Sequence, residues 1–394
     1  MTNTEIMYII IGDSYTFPDG DAATNRVLTY AKGFAENGIN VLVIGFRNDY
    51  LSVNEGEING IRYVHPFNRK VRHSNFFVRR WLELQKYLST INLIGKICKQ
   101  DNVEQLTVYS TRFITHLFAW FLARLFKAKL IKECSEHPLR LHQGNYLRRT
   151  YGYIKFRCEA YLCDGIICIS RFLVDFHLKE GFPPSKLLLV PSTVDPSRFE
   201  GVENNPLSYR YIGYFGALTF KRDNVDLLLK AFQPLMMKYP DYHLVIGGLG
   251  TKSERQSISD LAKELGIASK FKLLDYMPRD EITKYIKGAD ILVMVRGKDM
   301  ESDASFPSKL TEYLAASKPL ITVNVGEIPD YLTDGINTFL VPPGDQLALA
   351  RKIEGVIDDY PSAVLIAKKG KELTDSIFNY SFQARRIISF IGSL

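Results

Sequence analysis

The sequence lacks the features of disulfide-stapled and zinc-binding proteins. Its five cysteines, Cys98, Cys134, Cys158, Cys163 and Cys168, are scattered and form no CxxC pair. An odd, scattered set argues against a disulfide framework or a zinc site and indicates a reducing compartment. Low-complexity segments and repeats of about 20–50 residues are also missing, which excludes solenoid architectures.

Long uncharged apolar runs are missing as well. The most apolar segment, residues 113–130, contains His116, Arg124, Lys127 and Lys129, so it falls short of the roughly 20 apolar residues that a membrane span needs. The N-terminus, MTNTEIMYIIIGDS, has an acidic residue before a short apolar run and no basic n-region. We interpret it as a buried first strand and not as a signal peptide, and we expect a cytoplasmic protein.

The charge that is present is unevenly distributed. The chain of 394 residues has a net charge of +7, yet residues 62–157 contain 19 Lys and Arg against 5 Asp and Glu. Arginines there alternate with aromatic residues, as in FFVRRW at 76–81 and RRTY at 148–151. A solvated basic face, a phospholipid surface or an acidic or pyrophosphate-linked substrate would each explain the pattern. No nucleic-acid-binding motif accompanies it, so we favour a membrane surface over nucleic acid.

Apolar β-branched runs alternate with amphipathic stretches along the chain, which predicts parallel sheets covered by helices in two similar halves. A polar, Pro-containing segment at 199–208 predicts the linker between them. We expect two doubly wound domains that face a central cleft, with boundaries at 1–200 and 201–375 and a C-terminal helix, 376–394, that crosses back to the first domain. The predicted strands cover 7–12, 41–45, 106–109, 129–134, 165–169, 187–190, 211–215, 243–247, 271–274, 291–294 and 320–322, and the predicted helices cover 24–37, 225–239, 257–265, 279–288, 308–316 and 380–394.

The sharpest motif is DASFPSKLTEYLAASKP at 303–319. Ser308 is expected as the N-cap of a helix, or as a first-turn residue after Pro307. The free N–H groups and the dipole of such a helix start suit a diphosphate. Glu312 lies about one turn further along, where its carboxylate would accept hydrogen bonds from the vicinal hydroxyls of a ribose. A surface helix with an ordinary exposed Glu is the alternative.

A second motif, GYFGALTFKRDNVDLL at 213–228, predicts a strand, a glycine-bearing loop and a helix. Gly216 allows close approach of the backbone to a ligand, and Lys221 and Arg222 would neutralise charge on a departing diphosphate. A basic loop tip would also explain them. Gly248, in the loop GGLG at 247–250, follows another strand of the same half and fits either a turn or a nucleotide neighbour.

These segments resemble family 4 of the retaining glycosyltransferases, which have the GT-B fold. Three further segments carry the resemblance: CDGIICIS at 163–170, LVPSTVDPSRF at 189–199 and NTFLVPPGD at 337–345. Each is weak alone, but their order and spacing together are specific. The resemblance implies an enzyme of the hexosyltransferase type that moves a sugar from a nucleoside diphosphate sugar to an acceptor hydroxyl.

The resemblance also implies site residues. Glu312 matches the second Glu of the family's E-x7-E pair, which binds ribose, whereas Ala304 stands where the first Glu is expected. Glu301, Ser302 or Asp303 would have to replace that acid. Ala217 stands at the family's expected Arg, so Lys221 or Arg222 would substitute, and we favour Arg222 because its planar fork suits phosphate oxygens. The expected donor-binding residues are Gly20, Gly216, Gly248, Asp303, Ser308, Lys309, Leu310 and Glu312.

In the first half, FPDGDAATNR at 17–26 resembles the family's glycine-rich first loop and would bring Gly20 and Asp21 to the diphosphate and acceptor. A plain turn capped by Asp21 or Thr24 is the alternative. KECSEHP at 132–138 would present Glu136 or His137 to the sugar or acceptor, although a lone His is more often structural. The expected catalytic residues are therefore Arg222, Lys221, Glu312 and His137, with Asp21, Glu136 and His137 on the acceptor side.

We thus expect retaining transfer without a metal or other cofactor, by a front-face route, to a glycan or lipid-linked acceptor. Bacterial surface polysaccharide or glycolipid synthesis would suit the basic first half, with the protein cytoplasmic and peripheral at the inner face of the membrane. Two other hypotheses stay open. One is a catalytically impaired module that serves as a binding or assembly partner, and the other is a GT-B sugar-nucleotide epimerase.

Overall fold

A computed structural model of the chain describes residues 5–47, 55–66, 73–97, 101–139, 145–202 and 205–394. The chain folds into two compact units. Unit 1 comprises Met1–Thr193 and Tyr380–Leu394, and unit 2 comprises Val194–Asn379. The division falls between Thr193 and Val194. The segment 199–208, which we took as the linker, therefore belongs to unit 2. The four described cysteines, Cys134, Cys158, Cys163 and Cys168, are free thiols.

Unit 1 contains one sheet of eight strands in the order β3-β4-β2-β1-β5-β6-β7-β8. Its strands are parallel except for the antiparallel pair β3 and β4. Parallel strands are covered on both faces and therefore read as continuous apolar runs, such as MYIII in the first strand. The strands are β1 Ile6–Gly12, β2 Asn40–Gly45, β3 Glu55–Ile58, β4 Ile61–Val64, β5 Asn102–Tyr109, β6 Lys129–Cys134, β7 Gly165–Cys168 and β8 Leu187–Leu189.

Helices cover both faces of this sheet. The first five are α1 Ala22–Glu36, α2 Phe76–Ile97, α3 Phe113–Leu125, α4 Tyr146–Leu162 and α5 Arg171–Lys179. The apolar run 113–130 thus forms a helix followed by the strand β6. Across the described residues, every helix is too short or too polar to cross a membrane.

The C-terminal helix, Tyr380–Ser393, belongs to unit 1. Its buried residues Ala384, Ile387 and Ile391 share a core cluster with Phe34 of α1. Gly33 permits this close packing, since a Cβ added there would lie 2.4 Å from the Cβ of Ala384.

Unit 2 contains a second sheet, fully parallel, with six strands in the order β11-β10-β9-β12-β13-β14. Its strands are β9 Arg210–Phe215, β10 Tyr242–Gly247, β11 Phe271–Leu274, β12 Ile291–Met294, β13 Leu320–Val323 and β14 Phe339–Val341. Its helices are α6 Phe220–Asp223, α7 Val225–Lys238, α8 Lys252–Glu264, α9 Arg279–Gly288, α10 Met300–Ala304, α11 Ser308–Ala315, α12 Ile328–Tyr331, α13 Gln346–Asp358 and α14 Tyr360–Glu372, and the C-terminal helix is α15. Both units are parallel-sheet α/β structures, as the sequence predicts.

Candidate functional site

Two glycine loops lie at the carboxyl ends of the neighbouring strands β9 and β10. The N–H of Gly216 donates to the carbonyl of Gly247 at 2.9 Å, so the loops continue the pairing of the strands. Gly248 has φ +136, and a Cβ there would lie 1.9 Å from the carbonyl oxygen of Gly216. Only glycine fits such a backbone at so short a distance. The two predicted glycines therefore lie against each other at one edge of the sheet.

Helix α11 begins beside these loops. Pro307 is its N-cap and provides no side-chain cap, so Ser308 is the first helical residue, which was the second of our two expectations. The hydroxyl of Tyr313 accepts from the N–H of Phe215 at 2.6 Å and donates to its carbonyl at 3.0 Å. These two bonds fix α11 to the end of β9. The first-turn N–H groups of the helix are consequently held at the same edge as the glycine loops.

Lys309 extends from α11 into a polar cluster under the first glycine loop. Its ammonium donates to Tyr214 at 2.8 Å and to Oδ1 of Asp223 at 3.0 Å. A Cβ at Gly216 would lie 2.6 Å from the same ammonium. Burial lowers the pKa of Lys309, and Asp223 opposes the change. Burial alone would raise the pKa of Asp223, but Lys309 and Arg222 outweigh it and lower that pKa. The lowered pKa favours the carboxylate form of Asp223, which accepts from Lys309.

Further cations lie at this edge. Lys221 and Arg222 are on the short helix α6, and Nε of Arg222 contacts Asp223 at 3.2 Å while 44% of the Arg222 side chain stays exposed. Arg296, which our sequence analysis did not select, follows β12 and donates to Oγ of Ser305 at 2.9 Å. Burial lowers the pKa of Arg296, and Asp223 acts in the opposite direction. Together with Lys309, these side chains carry more positive charge than Asp223 neutralises. This edge of the sheet therefore suits an anionic group such as a diphosphate.

Glu312 lies one turn into α11, as predicted. Its Oε1 accepts from Nη1 of Arg198 at 2.9 Å, and the two side chains are 21% and 14% exposed. Arg198 lies in the segment LVPSTVDPSRF, but we did not predict it as a site residue. Burial lowers the pKa of the neighbouring Arg279 to about 10, with Arg198 adding to the change and Glu312 opposing it. The carboxylate is thus held among arginines.

Ala304, which stands where the family's first Glu is expected, is the last residue of α10. Ala304 is fully buried. Ser302 is also buried, and its Oγ has no hydrogen-bond partner among the described residues. Glu301 and Asp303 are half-buried. Leu310, another predicted donor residue, is fully buried in the core, so its side chain serves packing. No three His, Cys, Asp or Glu side chains of the described ranges group closely enough to hold a metal ion.

The predicted residues of the first loop belong to unit 1. Asp21 is the N-cap of α1 and accepts from the N–H groups of Ala23 and Thr24. This is the capped turn that we gave as the alternative, although its carboxylate also lies 3.6 Å from Arg47. Gly20 is exposed, and a Cβ there would lie 2.2 Å from Oγ1 of Thr16. The loop is therefore tightly folded on its own side chains.

Glu136 and His137 follow β6 in unit 1. Glu136 is exposed. His137 is 9% exposed, and its ring lies 4.7 Å from that of Phe176 and 5.9 Å from that of Phe172. Its Nδ1 accepts from the N–H of Leu139 at 3.2 Å. Burial lowers the pKa of His137, so the ring is neutral at neutral pH, and it packs against α5.

The comparisons with known proteins agree with this architecture. The model described as Glycosyltransferase Family 4 matches residues 23–198, and the model described as Glycosyl transferases group 1 matches residues 197–373. The curated D-inositol 3-phosphate glycosyltransferase of Corynebacterium urealyticum is 23% identical over 319 residues, which are 75% of this chain and 73% of that protein.

Solved structures of similar fold cover nearly the whole chain. Sucrose-phosphate synthase from Thermosynechococcus elongatus has a TM-score of 0.74 at 15% identity and covers 98% of both chains. HepE of Anabaena, solved with UDP and glucose, has a TM-score of 0.70 at 14% identity and covers 100% of both chains. The two parallel-sheet units and these neighbours show the GT-B fold. The chain belongs to glycosyltransferase family 4, which confirms the resemblance that its motifs indicate.

Proposed function

We propose that this glycosyltransferase takes its sugar from a nucleoside diphosphate sugar held at the carboxyl edge of the sheet in unit 2. The observation that carries the proposal is the grouping of the α11 start, Lys309, Arg222 and Glu312 at that edge. Helix N–H groups and cations bind phosphate oxygens, and a carboxylate binds the hydroxyls of a ribose. The UDP bound to HepE supports the same class of donor.

The proposed reaction is transfer with retention of the anomeric configuration. The oxygen of an acceptor hydroxyl bonds to the anomeric carbon on the face from which the diphosphate leaves. The departing phosphate oxygen takes the proton of that hydroxyl, so the products are a glycoside and a nucleoside diphosphate. Arg222, Lys221 and Lys309 would stabilise the negative charge that grows on the leaving group. This route uses no metal or other cofactor.

The test begins with a thermal-shift screen of nucleoside diphosphate sugars, because a ligand that binds the folded state raises the melting temperature. The donor selected in this way is then used in turnover assays of Glu312→Gln. We expect that variant to lose at least about tenfold in donor affinity, as for a hydrogen bond to a charged group. Glu354→Gln changes a surface carboxylate of the same unit that pairs with Lys238 and is the matched control. Wild-type turnover by Glu312→Gln would refute the assignment.

A binding or assembly role is the second candidate, and the buried Ala304 favours it because no carboxylate replaces the first Glu at that position. The screen and the turnover assay separate the two candidates. Binding of a nucleotide without hydrolysis or transfer over the whole donor panel would support the assembly role. Conversion of the bound sugar nucleotide to its epimer would indicate an epimerase.

We also propose an anionic membrane surface as the location of a lipid-linked acceptor, as in surface polysaccharide or glycolipid synthesis. Helix α2 exposes the apolar stripe Phe77, Trp81, Leu84 and Leu88, whose spacing places these residues on one helix face. Helix α4 exposes Tyr146, Leu147, Tyr151, Ile154 and Tyr161. Arginines interleave with both stripes, so they combine apolar contact with attraction to anionic lipid. Arg69 and Arg140, which belong to the basic range 62–157, lie outside the described residues.

Sedimentation with vesicles tests this location. We expect binding to vesicles that contain anionic lipid, weaker binding at high salt, and little binding to neutral vesicles. The double variant Phe77→Ser and Trp81→Ser should bind less than wild type. Met237→Ser removes an equally exposed apolar side chain from unit 2 and is the matched control. Absence of binding at low salt would refute the membrane role.

A further inference from the structure

Arg198 lies in a short turn whose backbone is fixed at both ends. The turn Pro196–Phe199 begins at Asp195, whose Oδ1 accepts from the N–H of Ser197 at 3.1 Å. Phe199 at the other end is buried. The backbone at Arg198 is therefore held on both sides of the residue.

The guanidinium of Arg198 joins two helices of unit 2. Its Nη2 donates to the carbonyl of Arg279 at 3.3 Å and to Oγ1 of Thr283 at 3.1 Å, both on α9. Its Nη1 donates to Oε1 of Glu312 on α11 at 2.9 Å. The planar guanidinium therefore transmits the position of α9 to one oxygen of the carboxylate.

This contact changes what Glu312 can do. A carboxylate has two oxygens with about four acceptor positions, and Arg198 uses one of them. The remaining positions can accept hydrogen bonds from two neighbouring hydroxyls, provided that the carboxylate keeps one orientation. An exposed Glu samples several rotamers, and ordering it on binding weakens the affinity. The contact with Arg198 orders Glu312 before the ligand arrives.

We propose that Arg198 is a positioning residue that orients Glu312 for the ribose hydroxyls of the donor. The inference rests on the proposed function, since it requires Glu312 to bind a ribose. Arg198 itself does not contact the sugar or the reacting atoms in this proposal. Substitution of Arg198 should therefore change the affinity only for ligands that have the ribose hydroxyls.

The experiment compares nucleotides with and without those hydroxyls. Calorimetric Kd values are measured for UDP and for 2′,3′-dideoxy-UDP, with the ADP and GDP pairs in parallel, against wild type, Arg198→Met, Glu312→Gln and the double variant. We expect Arg198→Met to weaken UDP binding about tenfold, and to change binding of the dideoxy nucleotide less than about twofold. In the Glu312→Gln background, Arg198→Met should have little further effect, because the two act as one unit.

Two further variants control for structure. Arg210→Met breaks an ion pair with Asp290 at the amino end of β9 and should leave both affinities unchanged. Arg198→Lys keeps the charge but cannot bridge both helices, and it should give an intermediate loss for UDP if Arg198→Met does not fold. Equal weakening of both nucleotides by the Arg198 variants would reduce Arg198 to a structural role and overturn the inference.

The remaining outcomes distinguish the inference from the proposed function. Tighter UDP binding by Arg198→Met would mean that Arg198 competes with the ribose, which also overturns the inference. If wild type binds each nucleotide and its dideoxy form equally well, or if Glu312→Gln has no effect, Glu312 does not bind ribose. That outcome would refute the proposed function of this site, whatever the Arg198 variants show.

Discussion

The two glycines at the carboxyl edge of unit 2 should respond differently to the same substitution. Gly248 has φ +136, and an added Cβ would lie 1.9 Å from the carbonyl oxygen of Gly216. The backbone strain costs about 1–3 kcal/mol, and separating the loops also weakens the bond from Gly216 to Gly247 by about 1 kcal/mol. We expect Gly248→Ala to lower the free energy of unfolding by about 3 kcal/mol.

A Cβ added at Gly216 would contact a flexible side chain and not backbone. The added Cβ would lie 2.6 Å from Nζ of Lys309, which is the far end of a flexible side chain. The ammonium can move away, so we expect a loss of stability of about 1 kcal/mol from its weakened contact with Asp223. The moved ammonium would no longer lie beside the diphosphate, and the Kd for the nucleotide should rise about tenfold.

Urea denaturation gives the free energy of unfolding of both variants without ligand, and calorimetry gives the Kd of the nucleotide selected by the donor screen. The decisive result is how the loss of stability compares with the loss of affinity in each variant. Gly248→Ala should mainly lower stability, and Gly216→Ala should mainly lower affinity. Equal losses of stability in the two variants would refute the contacts described for Gly248 and Gly216. Unchanged nucleotide affinity of a folded Gly216→Ala variant would do the same.

Three other perturbations test the charges and the packing. Asp223→Asn leaves the ammonium of Lys309 half-buried without its carboxylate, so urea denaturation should show a loss of about 3 kcal/mol; an unchanged midpoint would contradict the ion pair. Burial lowers the pKa of His116 to about 4, so below about pH 6.5 the unfolded state binds a proton that the folded state does not. Stability should therefore fall by about 2 kcal/mol between about pH 7.5 and 5, and His116→Gln should remove that share of the fall. Gly33→Val should separate the C-terminal helix from α1 and cost more than about 2 kcal/mol, whereas Gly95→Val, with nothing within 4 Å, should cost less.

Continuous apolar runs predicted the parallel strands of both sheets except β4 and β14, because burial on both faces leaves a strong signal. Short polar elements were missed although local signals exist for them. The hairpin β3–β4 turns at Asn59 and Gly60, which have φ 51 and 75, and Asn-Gly is a strong hairpin signal. Helix α8 begins earlier than predicted because Thr251 and Glu254 form a capping box, and this box is readable in the sequence.

The ion pairs of the candidate site could not be predicted in the same way. Arg198 and Glu312 are separated by 114 positions, and Lys309 and Asp223 by 86. No local pattern relates residues at such distances, since their contact depends on which strands and helices become neighbours. The sequence therefore indicated which residues carry charge, but it did not indicate that Glu312, Lys309 and Arg222 each already have a protein partner.

The two departures from the family pattern have different consequences for the site. Ala217 stands where the family has an Arg, yet the ammonium of Lys309 lies beside Gly216, the preceding residue. Positive charge is thus present near that position, supplied by α11 as a point charge in place of a planar fork. Ala304, in contrast, is fully buried and brings no carboxylate to its position. Loss of the Arg therefore does not predict loss of diphosphate binding, whereas loss of the Glu removes a group from the part of the site that we expect to contact the sugar.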